Sequence, residues 1–147
     1  MRKLIVLRKK TFVGCIAKVK IYAEDPAGDT NIGGVKCRLL GKLKNGEKAT
    51  FEIGNESKKI FAIYDKMSKD YCNDYYTVPA GEEDCEISGK AHFNPFAGNP
   101  FYFDGVTDEV VLANRKKNSR KAMAIAIPLI IVAAAAGFAI GYYLVRF

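Results

Sequence analysis

The chain has 147 residues, enough for one ordinary domain, and its 49% apolar and 27% charged residues exclude an intrinsically disordered protein. Four cysteines are too few for a disulfide-rich scaffold, and a single histidine argues against a zinc site built from three histidines. Six of the 23 basic residues follow Asn114, so the first 114 residues are nearly neutral, with 17 basic against 16 acidic side chains, and the net charge of +7 does not indicate a nucleic-acid-binding domain.

Most of the chain before residue 107 alternates apolar and polar residues with a period of two, which predicts β-strands with one buried face. We predict strands at residues 4–7, 13–22, 46–53, 59–64, 85–93 and 101–103. The side chains expected to point into the core share one parity within a strand: Val13, Cys15, Ala17, Val19 and Ile21; Ala49, Phe51 and Ile53; Cys85, Ile87, Gly89, Ala91 and Phe93. The run at 59–64 is apolar with little alternation, which indicates a central strand.

Turn residues separate these strand candidates. Asn45-Gly46, between residues 39–43 and 49–53, is the strongest hairpin signal and is consistent with a type I′ turn. Short strands with frequent turns predict a mainly β fold, an antiparallel β-sandwich of the immunoglobulin-like kind. Residues 66–76 break the pattern and indicate either one short helix or an irregular crossover.

The pattern changes from Thr107, which is a candidate N-cap because Asp108 and Glu109 follow it in what would be the first helical turn. Two alternatives remain for residues 107–121: a helix that continues into the apolar segment, or a flexible polar linker. Residues 122–145 then contain 24 positions without a charge, long enough at about 1.5 Å per residue to cross the roughly 30 Å hydrocarbon core of a bilayer. They predict a transmembrane helix, and a buried core helix is the alternative.

A cluster of basic residues precedes the predicted span, whereas only Arg146 follows it. The cluster consists of Arg115, Lys116, Lys117, Arg120 and Lys121. By the positive-inside rule, this asymmetry places the preceding domain in the cytoplasm, where the same residues face anionic headgroups. The short apolar run at residues 4–7 is not a signal peptide, so we expect a single-pass, tail-anchored protein with residues 1–121 in the cytoplasm.

The span itself carries small residues at a spacing of four. Ala133, Gly137 and Gly141 lie on one helix face, and residues 137–141 form a G-x-x-x-G motif that lets two helices approach closely in lipid. This predicts a homo-oligomer through the transmembrane helix. The alternative is that these residues only dilute a simple anchor.

Part of the strand region resembles a known family. The segments Ile32-Gly33-Gly34-Val35, Leu40-Gly41-Lys42-Leu43-Lys44-Asn45-Gly46-Glu47 and Thr50-Phe51-Glu52-Ile53, followed by residues 60–62, resemble the small PEGA-like β-sandwich modules of bacteria. The resemblance covers roughly residues 30–64, and Gly54-Asn55-Glu56-Ser57 stands where the family usually has Gly-x-His. It implies a bacterial module attached to an envelope or membrane that binds or scaffolds rather than catalyses.

The residues that carry chemistry are few and scattered. The cysteines lack a C-x-x-C pair, and we expect Cys15 and Cys85 in the core and Cys72 as the exposed thiol. His92 lies on the polar parity of its strand, which predicts a surface position. Residues 82–86 are acidic enough to bind a hard cation or to form a solvated turn, and the Asn-Pro-Phe repeats at 94–96 and 99–101 are either recognition motifs or packed turns. We expect no catalytic residues, no metal and no cofactor.

Together these observations predict a β-sandwich at residues 1–106, a basic juxtamembrane segment at 107–121, a transmembrane helix at 122–145 and a short tail at 146–147. The expected function is that of a membrane-anchored, cytoplasm-facing protein-interaction or scaffolding module, and not of an enzyme. Its expected partners are the bilayer, a second copy through the span and an unknown protein, but no nucleic acid. The alternatives are a membrane-tethered enzyme or redox protein that uses Cys72, and a ligand- or ion-binding domain on the cell surface.

Overall fold

Two β-sheets and a C-terminal helix form the described part of the chain. A computed structural model describes residues 1–64, 69, 72–92 and 100–146, with side chains as far as Tyr142 in the helix. The elements within those residues are β1 (Arg2–Arg8), β2 (Val19–Glu24), β3 (Thr30–Ile32), β4 (Val35–Leu43), β5 (Lys48–Ile53), β6 (Lys58–Tyr64), β7 (Tyr76–Val78), β8 (Cys85–Ala91), β9 (Phe101–Phe103) and α1 (Glu109–Arg146).

The strands divide into a four-stranded sheet with the order β5-β1-β8-β9 and a five-stranded sheet with the order β3-β4-β2-β6-β7. Neighbouring strands are antiparallel except for β1 and β8, which run parallel with Leu4 opposite Cys85. The fold is therefore mainly β, two facing sheets followed by one long helix, as the sequence predicts. The parallel pair brings the ends of β1 and β8 to the same end of the sandwich.

The core lies between the two sheets and follows the period-two pattern. Leu4 and Val6 of β1 belong to one buried cluster with Ile21 of β2 and Ile60 of β6. The predicted inward residues that contribute to it are Ala49, Phe51 and Ile53 of β5 and Cys85, Ile87 and Ala91 of β8. A second, smaller cluster lies on the outer face of the five-stranded sheet, where Phe61 and Ile63 alternate with the core residues of β6. Because β6 has apolar neighbours on both faces and lies between β2 and β7, its continuous apolar run is explained and its predicted central position is confirmed.

The strand predicted at residues 13–22 begins six residues later than expected. Only Val19–Glu24 forms β2, whereas residues 11–18 form a loop in which Cys15 and Ala17 are exposed, so the prediction of Cys15 as a core residue is wrong. The backbone turns at Gly14, whose φ is 66°. Alternation over three positions looks the same in a loop as in a strand, because it records only which residues are apolar.

The turn at Asn45-Gly46 is present but does not close a hairpin, since β4 and β5 belong to different sheets. The Glu47 N–H donates to the Lys44 carbonyl at 3.1 Å, and Gly46 has a φ of 80°. A type I′ turn needs two positive φ values, and no described residue other than glycine has one, so the type I′ prediction is wrong here. Adjacent positive values occur instead at Gly33 and Gly34, 56° and 85°, in the two-residue loop between β3 and β4.

The C-terminal helix α1 is continuous from Glu109, which makes residues 109–121 helical, the first of the two predicted alternatives. Its N-cap is Asp108, because the Asp108 Oδ1 accepts hydrogen bonds from the N–H groups of Val110 at 2.9 Å and Val111 at 3.4 Å; the prediction of Thr107 as the cap is wrong by one residue. Residues Glu109–Tyr142 are long and apolar enough to cross a membrane, and their most apolar window has no side chain buried against the described chain. Within the described chain, α1 is therefore not a buried core helix.

Residues 66–68, 70 and 71 of the segment 66–76, the first Asn-Pro-Phe repeat at 94–96, Phe93 and Asn99 lie outside the described residues. The predictions for them stay predictions, apart from two of their ends. Residues 72–75 have no regular structure, and Pro100 leads directly into β9.

Candidate functional site

Several long-range hydrogen bonds join the start of α1 to the sandwich. Val111, in the first turn of α1, is fully buried, whereas the preceding Val110 is 62% exposed. The Tyr75 hydroxyl donates to the second carboxylate oxygen of the N-cap residue Asp108 at 3.1 Å. The start of the helix is therefore fixed to the sandwich on one side, both by apolar burial and by its own cap.

Arg115 fastens the second turn of α1 to the domain. Its Nε and one terminal nitrogen donate to the two carboxylate oxygens of Asp74 at 2.6 and 2.8 Å, and its other terminal nitrogen donates to the Phe103 carbonyl at 3.1 Å. The guanidinium also lies over the Tyr102 ring, 4.6 Å from the ring centroid. This planar, bidentate contact is one that arginine can make and lysine cannot.

Asp74 is only 5% exposed, so the ion pair with Arg115 lies largely out of water. Burial raises the pKa of the Asp74 carboxyl, while the hydrogen bonds and charge of Arg115 act in the opposite direction. The guanidinium thus compensates for a carboxylate that would otherwise be costly to bury. Arg115 has a structural role that its place in a basic run did not reveal.

The other four basic residues predicted to face headgroups, Lys116, Lys117, Arg120 and Lys121, are all exposed. At 100° per residue they occupy an arc of about 140°, whose centre lies nearly opposite the side that carries Val111 and Arg115. One face of this helical segment therefore docks onto protein while the other presents four cations to solvent. Their contact with headgroups stays a prediction.

The small residues predicted to pack in the span are accessible. Ala133, Gly137 and Gly141 are exposed, and a Cβ atom built at either glycine would meet no atom within 4 Å. Gly137 and Gly141 line a shallow groove on the helix surface together with Ala134, Phe138 and Tyr142. The groove leaves room for a second helix, and the homo-oligomer through this helix stays a prediction.

The cysteines occupy positions that differ from the expectations for two of the four. Cys72 is 1% exposed in the cluster on the outer face of the five-stranded sheet, so the prediction of Cys72 as the exposed thiol is wrong, and Cys15 is the exposed one. Burial, with a smaller contribution from Glu24, raises the pKa of Cys37 to about 11. Cys85 is half-buried against the core, as predicted, and burial raises its pKa. Raised pKa values reduce the thiolate fraction, which is the reactive form of a cysteine.

A cleft of about 450 Å³ lies between the start of α1 and the outer face of the five-stranded sheet. Phe61, Cys72 and Tyr75 contribute to its lining on the sheet side, and Val110 and Asn114 on the helix side. His92 is not among its lining residues; it is half-buried, rather than at the surface as predicted, with its ring 4.7 Å from that of Tyr102 on the other sheet. The described residues thus give the cleft a thiol but do not pair it with the imidazole.

The acidic loop at residues 82–86 is held by backbone and lysine contacts. Asp84 accepts a hydrogen bond from the Lys3 N–H at 2.8 Å, and Glu86 forms an ion pair with Lys48 at 2.9 Å. Across residues 1–64, 69, 72–92 and 100–146, no group of three or more histidine, cysteine, aspartate or glutamate side chains is arranged to hold a metal ion.

No protein-family model matches this chain, and no curated protein does either. The resemblance to the PEGA-like modules therefore rests on the sequence segments alone and stays a prediction.

Proposed function

We propose that this protein is a membrane-anchored interaction or scaffolding module: α1 crosses a bilayer and holds the β-sandwich at the cytoplasmic surface. The observation that carries the proposal is the continuous helix, docked onto the sandwich at Val111 and Arg115 and exposed over its apolar length. An apolar helix surface of that length is stable in lipid, whereas in water it would drive aggregation.

The charge distribution supports the orientation. Four exposed cations precede the apolar segment in α1 and one arginine follows it, which favours the cytoplasmic side for the domain. Each basic residue close to an anionic leaflet contributes about 1 kcal/mol of attraction. The same residues would then orient the protein and attract it to the surface.

The docked helix supports a role in placement. A flexible linker would let the sandwich rotate freely over the surface, but the bidentate pair between Arg115 and Asp74 couples the domain to the direction of the helix. Anchoring raises the effective concentration of the domain for any second contact near the membrane, and a fixed orientation selects which face is presented. The PEGA-like resemblance, with its binding rather than catalytic role, agrees with this proposal.

Membrane extraction and protease protection test the two parts of the proposal. The full chain, expressed in bacteria, should stay with the membrane pellet after alkaline carbonate treatment. In sealed inside-out vesicles added protease should digest the sandwich, and in right-side-out spheroplasts the sandwich should be protected. Release by carbonate would contradict the anchor, and the reverse protection pattern would contradict the orientation while leaving the anchor intact.

A further inference from the structure

Two large apolar side chains in the loop between β1 and β2 are almost completely exposed. Phe12 is 94% exposed and Ile16 is 96% exposed, more than any other large apolar side chain in the described chain, the apolar helix included. We call residues 9–18 the β1–β2 loop. An exposed phenylalanine and isoleucine at one loop tip form an apolar point on a domain whose other large apolar side chains are mostly packed.

Hydrogen bonds fix the backbone of this loop around its tip, by which we mean residues 12–16. Arg8 is fully buried, and its guanidinium donates to the carbonyls of Gly14 at 2.7 Å and Ala17 at 2.6 Å. Thr11 and Asn45 exchange two hydrogen bonds, at 3.0 and 2.8 Å. The backbone on both sides of the tip is therefore tied to the sandwich, and Phe12 and Ile16 are exposed from a braced loop.

The register of the sheets places the β1–β2 loop at the end of the sandwich towards which α1 runs. Lys9 is bonded through its N–H to the Gly89 carbonyl, and Gly89 pairs with Phe103 of β9. The chain reverses after β9, and Arg115 of α1 then reaches Tyr102 and Phe103, so the helix passes back along β9 towards the end where that strand begins. Since β1 is two strands from β9, about 10 Å of sheet separates β1, which leads into the loop, from β9, which Arg115 contacts.

The charges around the tip favour an anionic surface. Lys10 and Lys18 flank the tip and are exposed, and the exposed Lys44 follows in the neighbouring turn, where Lys10 packs against Gly46. The loop contains no acidic residue, although the side chains of Asp104 and Glu47 lie nearby. Asp104 forms an ion pair with Lys9, and Glu47 accepts a hydrogen bond from the Lys44 N–H. An apolar tip within a basic rim is the pattern of surfaces that insert shallowly into anionic membranes.

We propose that the β1–β2 loop is a second membrane contact, in which Phe12 and Ile16 enter the boundary between headgroups and acyl chains while the lysines meet anionic headgroups. The inference rests on the proposed function, because the bilayer reaches the loop only if α1 crosses it. The distances permit both contacts. The helix rises about 10 Å from Arg115 to Ala122, where the predicted span begins, and the headgroup layer accounts for roughly 5–8 Å of that rise. The junction couples the sandwich to α1, and this second contact would fix the tilt of the two together relative to the bilayer.

A fluorescent probe on Cys15 tests the proposal, since this exposed thiol lies between the two apolar side chains. The full chain with Cys85→Ser would be labelled with bimane and reconstituted into phosphatidylserine–phosphatidylcholine vesicles with or without brominated acyl chains. We expect a blue-shifted emission and at least twofold quenching by the brominated lipid. The control label is on Ala27→Cys in a Cys15→Ser background, because Ala27 is exposed in the turn at the opposite end of β2.

Replacement of the tip sharpens the test. Phe12→Ser combined with Ile16→Ser should abolish most of the quenching without lowering the thermal midpoint, whereas Leu39→Ser, at an exposed apolar position in β4, should leave quenching unchanged. Equal, weak quenching at Cys15 and Ala27→Cys in carbonate-resistant protein would overturn the loop contact and leave the anchor standing. A blue shift without quenching by lipid would assign the loop to a protein contact and overturn it as well. Release of the protein by carbonate would overturn the proposed function, and this inference with it.

Discussion

The first two turns of α1 and the rest of the same helix differ in what surrounds them. Over residues 109–115 one side of the helix is packed against protein, with Val111 fully buried and Arg115 paired to Asp74. From residue 123 to Tyr142 every described side chain is exposed, and nearly all of them are apolar. One regular helix therefore has two different stabilising environments, and the boundary between them lies in the basic segment.

If α1 crosses a membrane as proposed, docking of its first turns lets the sandwich control the direction of the helix. Docking over only two turns buries one valine and one ion pair. Arg115 nevertheless contacts residues from both sheets, because Asp74 precedes β7 of the five-stranded sheet and Phe103 belongs to β9 of the four-stranded sheet. Breaking them should release the domain without altering the apolar segment. The predictions below separate the two parts of the helix, and they begin with the largest expected effect.

Loss of the buried ion pair should have the largest effect on the docked part. Asp74→Ala leaves the largely buried guanidinium of Arg115 without its carboxylate, and we expect a loss of about 3–5 kcal/mol in the free energy of unfolding of the sandwich. Urea titration of the full chain in detergent micelles, followed by tyrosine fluorescence, measures it. Glu86→Ala is the matched control, because its ion pair with Lys48 is half exposed on both sides and should cost only about 0–1 kcal/mol. Equal losses in the two variants would mean that the junction is not a buried pair.

Two adjacent valines provide the next comparison. Val111→Ala removes two methyl groups from a fully buried site and should lower the free energy of unfolding by about 1–3 kcal/mol. Val110→Ala makes the same chemical change at a position that is 62% exposed and should be close to neutral. If both variants unfold at the same urea concentration as the parent, the first turn of α1 is not docked.

Sequence patterns predicted the features that depend on local periodicity. The continuous run in β6 and the alternation in β5 and β8 give the right faces, because a strand buries side chains by parity. The same reasoning fails at Cys15 and Ala17, which are exposed in a loop whose carbonyls accept hydrogen bonds from Arg8. A buried arginine that donates hydrogen bonds to backbone carbonyls produces no periodic pattern in the sequence, so periodicity could not predict this interaction.

The junction was not predictable for a different reason. Arg115 and Asp74 are 41 residues apart, and each lies in a polar stretch that looks like a solvated surface. Cys72 was expected to be exposed on the same ground, yet it is buried in the apolar cluster on the outer face of the five-stranded sheet. The local composition of a segment predicts only its average exposure. Whether one side chain in that segment is buried depends on tertiary contacts with residues far away in the sequence.

The free part of the helix can be tested through its small residues. If two copies pack along Ala133, Gly137 and Gly141, then Gly137→Ile should push the backbones apart and reduce dimer crosslinking at least severalfold. Ile131→Leu conserves volume and apolarity outside this stripe and should leave crosslinking unchanged. Both variants should remain carbonate-resistant, because neither change introduces a polar group into the span. Equal crosslinking in the two variants would contradict packing along the stripe.

The smallest expected effect is on the pKa of His92, which reports on the charges around the docked second turn. Burial, followed by the positive charges of Lys90 and Arg115, lowers the pKa of His92 below 6.5, and the carboxylates of Asp104 and Asp74 act in the opposite direction. Because the folded pKa is below the unfolded one, the unfolded chain binds more protons, so this residue makes the protein slightly less stable as pH falls through the region below 6.5.

Since His92 is the single histidine, its ring protons give one resolvable NMR titration. Arg115→Met removes a nearby positive charge and should raise this pKa, whereas Arg120→Met, on the exposed face of α1, should not change it. A pKa that is the same in all three proteins would place Arg115 away from the imidazole and would contradict the docked second turn.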